Sequence, residues 1–252
     1  MTPHYDDGQV VIWHADIREI GALSDVACVI TSPPYNSGVA YDGYDDSLPD
    51  SEYQALAGAA CRLISVSLPP DGGRGWINVG VARLTVWLDA IHRAGMTERH
   101  IVCWDYGIAT SDTAWGSWET PSAPHVRHAW EPIVCATTGE WRRQAPAGRE
   151  HWRDPLGGWA NMTRGIWRIP PGESTRSGHP AVIPVALAER CIRLSTWPGE
   201  VVADPFAGSS TTLGAAKRLG RRAVGVEQSE RYCEIAAARL AQQVLPVSAG
   251  VA

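Results

Sequence analysis

Two loops lie far apart in the chain, each directly after a short β-branched run, and they constrain the fold more than any other feature. The first run, 26–30, leads into Thr31-Ser32-Pro33-Pro34-Tyr35-Asn36, and the second, 201–202, leads into the loop 203–212. Short apolar runs that end in turn residues are typical of buried parallel strands. Open α/β sheets bind ligands at the carboxyl ends of such strands, so both loops are predicted to lie where a ligand binds.

A repeated alternation of strands and helices supports an α/β fold. The sequence predicts strands at 10–13, 26–30, 76–79, 101–104, 132–136, 201–203 and 223–226. It predicts helices at 51–68, 84–94, 182–195, 211–219 and 230–243. The alternation breaks between 139 and 178, where prolines, glycines and tryptophans show no clear period. We therefore expect one domain that carries a small insertion.

Composition places the chain among globular proteins. Its 252 residues, 44% hydrophobic and 19% charged, suffice for one sizeable domain. The chain does not open on a basic segment followed by an apolar stretch, and no run of about 18 apolar residues occurs. We therefore expect a cytoplasmic protein with no membrane partner. The 6 cysteines stand singly and without zinc spacing, which predicts reduced, mostly buried thiols.

Two groups of potential metal ligands lack the spacing of a metal site. His125, His128 and His151 are scattered and show no helical i,i+4 pairing. The acidic stretch 42–50 lacks the spacing of a calcium loop. We expect no bound metal, and we interpret the acidic stretch as a mobile flap.

The first loop has the groups needed to react with an amino nitrogen of a nucleobase. The lone pair of such an amine is delocalised into the ring, so acceptors must engage its two hydrogens before the nitrogen can attack. The Ser32 hydroxyl and the Pro33 carbonyl, held by the Pro33-Pro34 pair, can accept them. Tyr35 offers a flat face for a base removed from its stack. On four residues alone, a rigid surface turn remains the alternative.

The second loop has the features of a site for an adenosine-containing ligand. Asp204 follows a strand, and the small residues of 208–212 open a helix whose free backbone N–H groups suit a carboxylate-bearing ligand. The spacing matches neither a P-loop nor the dinucleotide fingerprint. Glu227 ends the next strand, where an acid commonly holds ribose hydroxyls. The alternatives are a helix N-cap and a solvated strand-end acid.

In these motifs and their order the chain resembles the β-class amino-DNA methyltransferases, over nearly all of its length. The resemblance implies a Rossmann-like class I methyltransferase fold in permuted order, with a doubly wound, mostly parallel, seven-stranded sheet. It implies 1–138 as the catalytic half, 139–178 as the target-recognition insertion, and 179–252 as the half that binds S-adenosylmethionine.

The resemblance also implies roles for individual residues. It implies a catalytic motif of Ser32, Pro33, Pro34 and Tyr35. The loop 204–209 would cradle the methionine portion of the cofactor, Glu227 would bind the ribose, and Asp16 would approach the adenine. The implied cofactor-binding residues are Asp16, His179, Pro180, Asp204, Pro205, Phe206, Gly208, Ser209, Ser210, Thr211 and Glu227. Ser210 departs from the glycine that is usual in this loop.

The insertion is the one basic and aromatic stretch of an otherwise acidic chain of net charge -5. By resemblance it occupies the target-recognition position, and arginine reads both phosphates and guanine edges. The predicted DNA-binding residues are Arg142, Arg143, Arg149, Arg153, Arg164 and Arg168. The alternative is a solvated face with tryptophans packed on the domain. The predicted partner is double-stranded DNA, and the sequence leaves open a homodimer and a cognate restriction endonuclease.

Two features favour N4 of cytosine as the methyl acceptor. Ser32, with Thr31 before it, resembles the N4-cytosine members, whereas N6-adenine members usually carry aspartate or asparagine there. The segment 114–131, from Ala114-Trp115 through Pro124 and Arg127 to Glu131, also looks like a loop of the N4-cytosine members. The prediction is methylation of a flipped cytosine by direct in-line displacement. N6-adenine, RNA or protein-amide methylation and an inactive DNA-binding subunit are the alternatives.

Overall fold

A nine-stranded sheet forms the centre of the protein, whose computed structural model describes residues 2–107, 129–171 and 180–242. The strands of the described chain are β1 (Tyr5–Asp6), β2 (Val10–His14), β3 (Val26–Thr31), β4 (Ala40–Tyr41), β5 (Tyr44–Asp45), β6 (Arg74–Asn78), β7 (Thr97–Asp105), β8 (Trp130–Thr137), β9 (Ile166–Arg168), β10 (Val201–Asp204) and β11 (Arg222–Glu227). The sheet order is β1-β2-β11-β10-β3-β6-β8-β7-β9, and β4 and β5 form a separate hairpin.

The sheet confirms the predicted fold class. The strands from β2 to β6 pair in parallel, and β8 runs antiparallel between β6 and β7. The prediction of seven strands misses two short ones at the sheet edges: β1, which pairs antiparallel with β2, and β9, which pairs parallel with β7. Because β9 lies within 139–178, the predicted insertion contributes a strand to the sheet.

Helices cover both faces of the sheet, as the doubly wound order requires. They are α1 (Asp50–Ser67), α2 (Leu84–Arg93), α3 (Trp159–Met162), α4 (Val185–Ser195), α5 (Thr211–Arg218) and α6 (Glu230–Gln242). Successive side chains of a strand point to opposite faces. In β3, Cys28 and Ile30 pack with the core under α4, α5 and α6, whereas Val29 packs with the core under α1 and α2. A fully apolar strand of this kind is buried on both faces.

All six cysteines are free thiols, five of them buried, in agreement with the prediction. Burial raises the pKa of the Cys28 and Cys61 thiols to about 12, so both stay protonated at neutral pH. None of the described helices is long and apolar enough to cross a membrane.

Candidate active site

The carboxyl ends of four neighbouring parallel strands bring the two predicted motifs together. Ser32 follows β3, Asp204 ends β10, Glu227 ends β11, and Asp16 lies two residues after β2. A cavity of about 440 Å³ lies at these strand ends. Its lining includes Asp16, Ser32, Pro34, Pro205, Phe206, Gly208 and Glu227. Its volume lies within the usual range of small-molecule sites. One site therefore contains both sequence motifs.

Hydrogen bonds fix the predicted catalytic motif against its surroundings. The Thr31 hydroxyl donates to Asp204 Oδ1 at 2.7 Å, which ties the first motif directly to the second. The Tyr53 hydroxyl donates to the Pro34 carbonyl at 3.0 Å and accepts from the Trp87 indole N–H at 3.0 Å. The Pro-Pro turn is thereby held from the α1 and α2 side of the sheet.

A carboxylate that the sequence analysis gave no role lies beside Ser32 and Tyr35. The Tyr35 hydroxyl donates to Glu131 Oε2 at 2.7 Å, and the Asn78 side-chain amide donates to the same oxygen at 2.9 Å. The Tyr106 hydroxyl donates to the other oxygen of Glu131. The Ser32 hydroxyl lies 3.4 Å from the Tyr35 hydroxyl. We call Tyr35, Asn78, Tyr106 and Glu131 the Glu131 cluster.

The topology of the sheet explains how the Glu131 cluster forms. Asn78 ends β6, Tyr106 follows β7, and Glu131 lies near the start of the antiparallel β8 between them. The amino end of β8 therefore meets the carboxyl ends of its neighbours. Polar residues at these strand ends were the available signal, but the sequence alone does not reveal which strands are adjacent.

The Tyr35 ring packs on Gly80. A Cβ atom at position 80 would lie 3.2 Å from a Tyr35 ring carbon, which is closer than ordinary van der Waals contact. Only glycine gives the ring this position without a shift. Tyr35 is thus fixed at its hydroxyl by Glu131 and along its ring by a backbone surface.

The cofactor loop between β10 and α5 has polar groups that suit a ligand. Glu227 accepts the Gly208 N–H at 2.8 Å and the Ser229 N–H at 2.8 Å, which shapes the loop from the neighbouring strand. Buried hydroxyls of Ser209, Ser210 and Thr211 have no hydrogen-bond partner among the described residues. Unpaired buried polar groups are costly, so these three hydroxyls, which follow the cavity-lining Gly208, are candidate partners for the polar methionine end of S-adenosylmethionine.

Burial controls both acids of the cofactor site. Desolvation raises the pKa of Asp204 to about 6, although hydrogen bonds from Thr31 and from the Phe206 N–H oppose the shift. Desolvation also raises the pKa of Glu227, against hydrogen bonds from the Ser229 and Gly208 N–H groups. Glu227 lines the cavity and Asp204 precedes the cavity-lining Pro205, and perturbed acids beside a cavity are typical of functional sites.

Ser210, the residue that departs from the family glycine, adopts a left-handed conformation with φ of +62° and ψ of +38°. This conformation costs a non-glycine residue roughly 1–2 kcal/mol. The loop of this chain therefore bears this strain at Ser210.

We expect Ser210→Gly to raise the unfolding temperature of the cofactor-free protein by a few degrees, because it removes both the strain and an unpaired buried hydroxyl. If that hydroxyl binds the cofactor, the additional stabilisation by S-adenosylmethionine will be smaller than in wild type. Thermal unfolding with and without the cofactor measures both effects. A lower unfolding temperature in the cofactor-free variant would contradict the strain argument.

The acidic stretch 42–50 begins in the β4–β5 hairpin, which lines the cavity. Buried Asp46 accepts backbone N–H groups of Asn36, Ser37 and Val39 at 2.8–3.0 Å. Asp42 accepts the Ser229 hydroxyl at 2.6 Å, which attaches the hairpin to the segment before α6. The described residues contain no group of three or more possible metal ligands. The predicted flap is thus well tied in this conformation.

Of the remaining predicted cofactor residues that the structure describes, Asp16 lines the cavity and Pro180 does not. Asp16 lines the cavity and caps the short 3-10 helix Ile17–Glu19. Its hydrogen bond with Arg18 lowers the pKa of its carboxyl, so Asp16 is ionised at neutral pH. Pro180 is exposed and does not line the cavity, whereas its neighbour Ala181 does. His179 lies outside the described residues, as do His125, His128 and most of the segment 114–131.

The predicted DNA-binding arginines do not lie together. Arg142 and Arg153 line a cavity of about 500 Å³ beside Trp197, at the amino end of β10, and Arg149 lies next to this cavity. Arg143 is largely buried, and its guanidinium bonds to Glu200 and to the Ser195 carbonyl. The six residues of β11 extend roughly 16 Å from the amino end of this strand to its carboxyl end. These four arginines therefore lie at the opposite ends of the strands from the candidate active site, and their contact with DNA stays a prediction.

Arg164 and Arg168 occupy different positions. Arg164 is exposed and precedes β9. Arg168 ends β9 at the same edge as Tyr106, with 83% of its side chain exposed and its Nε bonded to Asp105 at 3.0 Å. The sequence could not distinguish Arg164 and Arg168 from the other four arginines. Spacing along the chain does not reveal that the segment 139–160 lies by the amino ends of the strands.

Fold and cavity together define a class I methyltransferase, and comparisons with known proteins identify its family. The family model described as DNA methylase, of the N6/N4 type, matches residues 26–238. The type II methyltransferase M.ScaI of Streptomyces caespitosus is 27% identical over 94% of this chain and 83% of its own length. The DNA adenine methyltransferase YhdJ of Escherichia coli is 27% identical over 90% and 79%.

Two solved structures share this fold, and one of them contains S-adenosyl-L-methionine. TTHA0409 of Thermus thermophilus, solved with S-adenosyl-L-methionine, is 30% identical with a TM-score of 0.66, covering 90% of each chain. The PvuII DNA methyltransferase, described as cytosine-N4-specific, has a TM-score of 0.73 over 96% of this chain and 90% of its own, at 21% identity. The chain therefore belongs to the N6/N4 family of DNA methylases and is an S-adenosylmethionine-dependent DNA methyltransferase.

Proposed function

We propose that this methyltransferase modifies N4 of cytosine in duplex DNA, after the base is flipped out of its stack. The observation that carries the choice of base is Ser32, a neutral hydroxyl on the cavity wall where adenine-specific members usually carry aspartate or asparagine. The cofactor-binding features of the loop 204–211 would place an electrophilic methyl group in the same cavity.

The residues of the chain have separate tasks in this reaction. Ser32 and the Pro33 carbonyl accept the two amine hydrogens and direct the nitrogen lone pair at the methyl group. Tyr35, braced by Gly80 and Glu131, supports the flipped base. Residues of the β4–β5 hairpin line the cavity, where the hairpin would limit the access of water. Bound cofactor supplies the methyl group on a positively charged sulfur.

Transfer of labelled methyl to unmethylated genomic DNA, followed by digestion to nucleosides and mass spectrometry, tests the proposal. N4-methylcytosine is expected. N6-methyladenine would keep the site and overturn the assignment from Ser32; the family and the relative YhdJ allow this alternative. Label in RNA or protein, with none in DNA, would reject the proposed substrate.

Of the predicted DNA-binding arginines, Arg168 is the best placed to contact DNA at the carboxyl ends of the strands, where the candidate active site lies. We expect Arg168→Ala to weaken binding of a duplex about tenfold, because a lost arginine contact to DNA costs about 1–3 kcal/mol. S-adenosylmethionine binding should stay unchanged. Arg153→Ala removes another exposed arginine, at the opposite ends of the strands, and is the matched control. Equal losses in both variants, measured by fluorescence anisotropy, would contradict the assignment.

The similarity to a type II methyltransferase supports a modification role beside a cognate restriction endonuclease in the cytoplasm. We propose this biological setting, which co-purification and digestion of unmodified DNA by the neighbouring gene products can test.

A further inference from the structure

A directed chain of hydroxyl groups leads from the catalytic serine to Glu131. A carboxylate only accepts hydrogen bonds, so the Tyr35 hydroxyl must donate its proton to Glu131 Oε2, at 2.7 Å. The oxygen of Tyr35 then faces Ser32 as an acceptor, at 3.4 Å. The Ser32 hydroxyl proton therefore points toward Tyr35. Its lone pairs are left for the amine hydrogens of the base.

The rest of the Glu131 cluster keeps this direction fixed. Asn78 donates to the same carboxylate oxygen as Tyr35, and the Tyr106 hydroxyl donates to the other oxygen. Burial, followed by the negative charge of Glu131, raises the pKa of Tyr35 well above its usual value, so its hydroxyl keeps its proton. Within the described chain Glu131 forms no ion pair with an arginine or lysine.

Methylation of an amine requires a group that accepts a proton. When the nitrogen forms its bond to the methyl carbon, it acquires a positive charge and must then lose a proton. An anionic group reached through two hydroxyls can balance this charge at the reacting centre. Release to bulk solvent is the alternative, and it requires nothing from Glu131.

We propose that Glu131 takes up the proton released by the methylated amine, through Ser32 and Tyr35. The N–H bond breaks and its electron pair stays on nitrogen. Ser32 receives this proton and passes its own to Tyr35, which passes its own to Glu131 Oε2. Glu131 ends neutral, and both hydroxyls are restored. The family motif allows phenylalanine in place of Tyr35, so this path is a property of this chain and not of the motif.

Glu131→Gln tests the proposal without a large change of shape. The carbonyl oxygen of the introduced glutamine can accept the bonds from Tyr35 and Asn78, but the amide cannot take up a proton. We expect the single-turnover rate of methyl transfer to fall roughly 10- to 100-fold, as is usual for a lost proton acceptor. The affinities for S-adenosylmethionine and DNA should stay within about twofold, which also shows that the variant folds.

Two further variants separate a proton path from a structural cluster. Tyr35→Phe breaks the path, so adding Glu131→Gln to it should cause no further loss of rate. Tyr106→Phe removes a hydroxyl that holds Glu131 but is not on the path, so its loss of rate should be smaller than that of Tyr35→Phe. Additive losses in the double variant, a larger loss in Tyr106→Phe than in Tyr35→Phe, or wild-type rates in Glu131→Gln would each overturn the proposal.

The assay counts total methyl label in DNA, and the family already establishes transfer to DNA. The inference rests on the proposed function only for the attacked group, an exocyclic amine. Nucleoside analysis of the same samples reports the base. An adenine product would therefore reject the cytosine assignment without affecting the outcome for Glu131.

Discussion

Ser32→Ala is expected to bind S-adenosylmethionine as wild type does and to transfer methyl groups at least about 100-fold more slowly. Removing one preorganised hydrogen-bonding group at a reacting centre typically costs this much. The hydroxyl is the first link to Tyr35 and lies on the cavity wall, so its loss removes an acceptor for the amine and the path to Glu131 together. The effect should fall on kcat and leave the cofactor affinity unchanged, because the cofactor loop lies on a different strand.

Ser24→Ala is the matched control for this variant. Ser24 is exposed and precedes β3, whereas Ser32 follows it, so the two serines lie at opposite ends of one strand. The control should retain the wild-type rate in a single-turnover assay. Normal transfer by Ser32→Ala would reject the role of the hydroxyl and leave the Pro33 carbonyl as the proposed acceptor.

The position of the candidate active site could be predicted because the sequence marks where the strands end. The runs 26–30 and 201–202 end in loops of proline, glycine and small residues, and both loops line one cavity. The strand predicted at 10–13 is observed as Val10–His14, and the helix predicted at 51–68 is observed as Asp50–Ser67. Hydrophobic periodicity fixes such elements locally, whatever their neighbours are.

Adjacency of strands accounts for what the sequence did not reveal. Glu131 meets Tyr35 and Tyr106 only because β8 inserts antiparallel between β6 and β7, and no local pattern encodes that insertion. Arg153 and Arg168 are close in sequence, yet Arg153 lies by the amino end of β10 and Arg168 lies at the carboxyl end of β9. β9 has three residues, with only Trp167 buried, so it lacks a strand signal of its own.

Asp204→Asn is expected to stabilise the cofactor-free protein at neutral pH. Desolvation raises the pKa of Asp204 from 3.8 to about 6, so the folded protein holds this proton more tightly than the unfolded chain. Below about pH 4 both states are protonated, and the shift costs nothing. Stability is lost as pH rises from about 4 to about 6, by up to about 3 kcal/mol. Asparagine avoids this loss and can still accept the Thr31 and Phe206 hydrogen bonds at Oδ1.

The same substitution is expected to weaken S-adenosylmethionine binding about 100-fold. The cofactor carries positive charges on its ammonium and sulfonium groups, and breaking a buried charge pair costs about 3–5 kcal/mol, of which solvent access at the cavity recovers a part. Wild-type affinity should fall as pH drops through about 6, because a protonated Asp204 loses its charge. The affinity of the asparagine variant should change less over that range.

Calorimetric titration and thermal unfolding between pH 5 and pH 8, with each buffer matched in ionic strength, measure both effects. Asp25→Asn removes an exposed carboxylate at the other end of β3 and should change neither quantity. A variant that is both less stable and unaltered in binding would mean that Asp204 serves the loop structure alone. A gain in stability with a loss of affinity would mean that the protein keeps a buried charge, at a cost to its own fold, because the cofactor needs it.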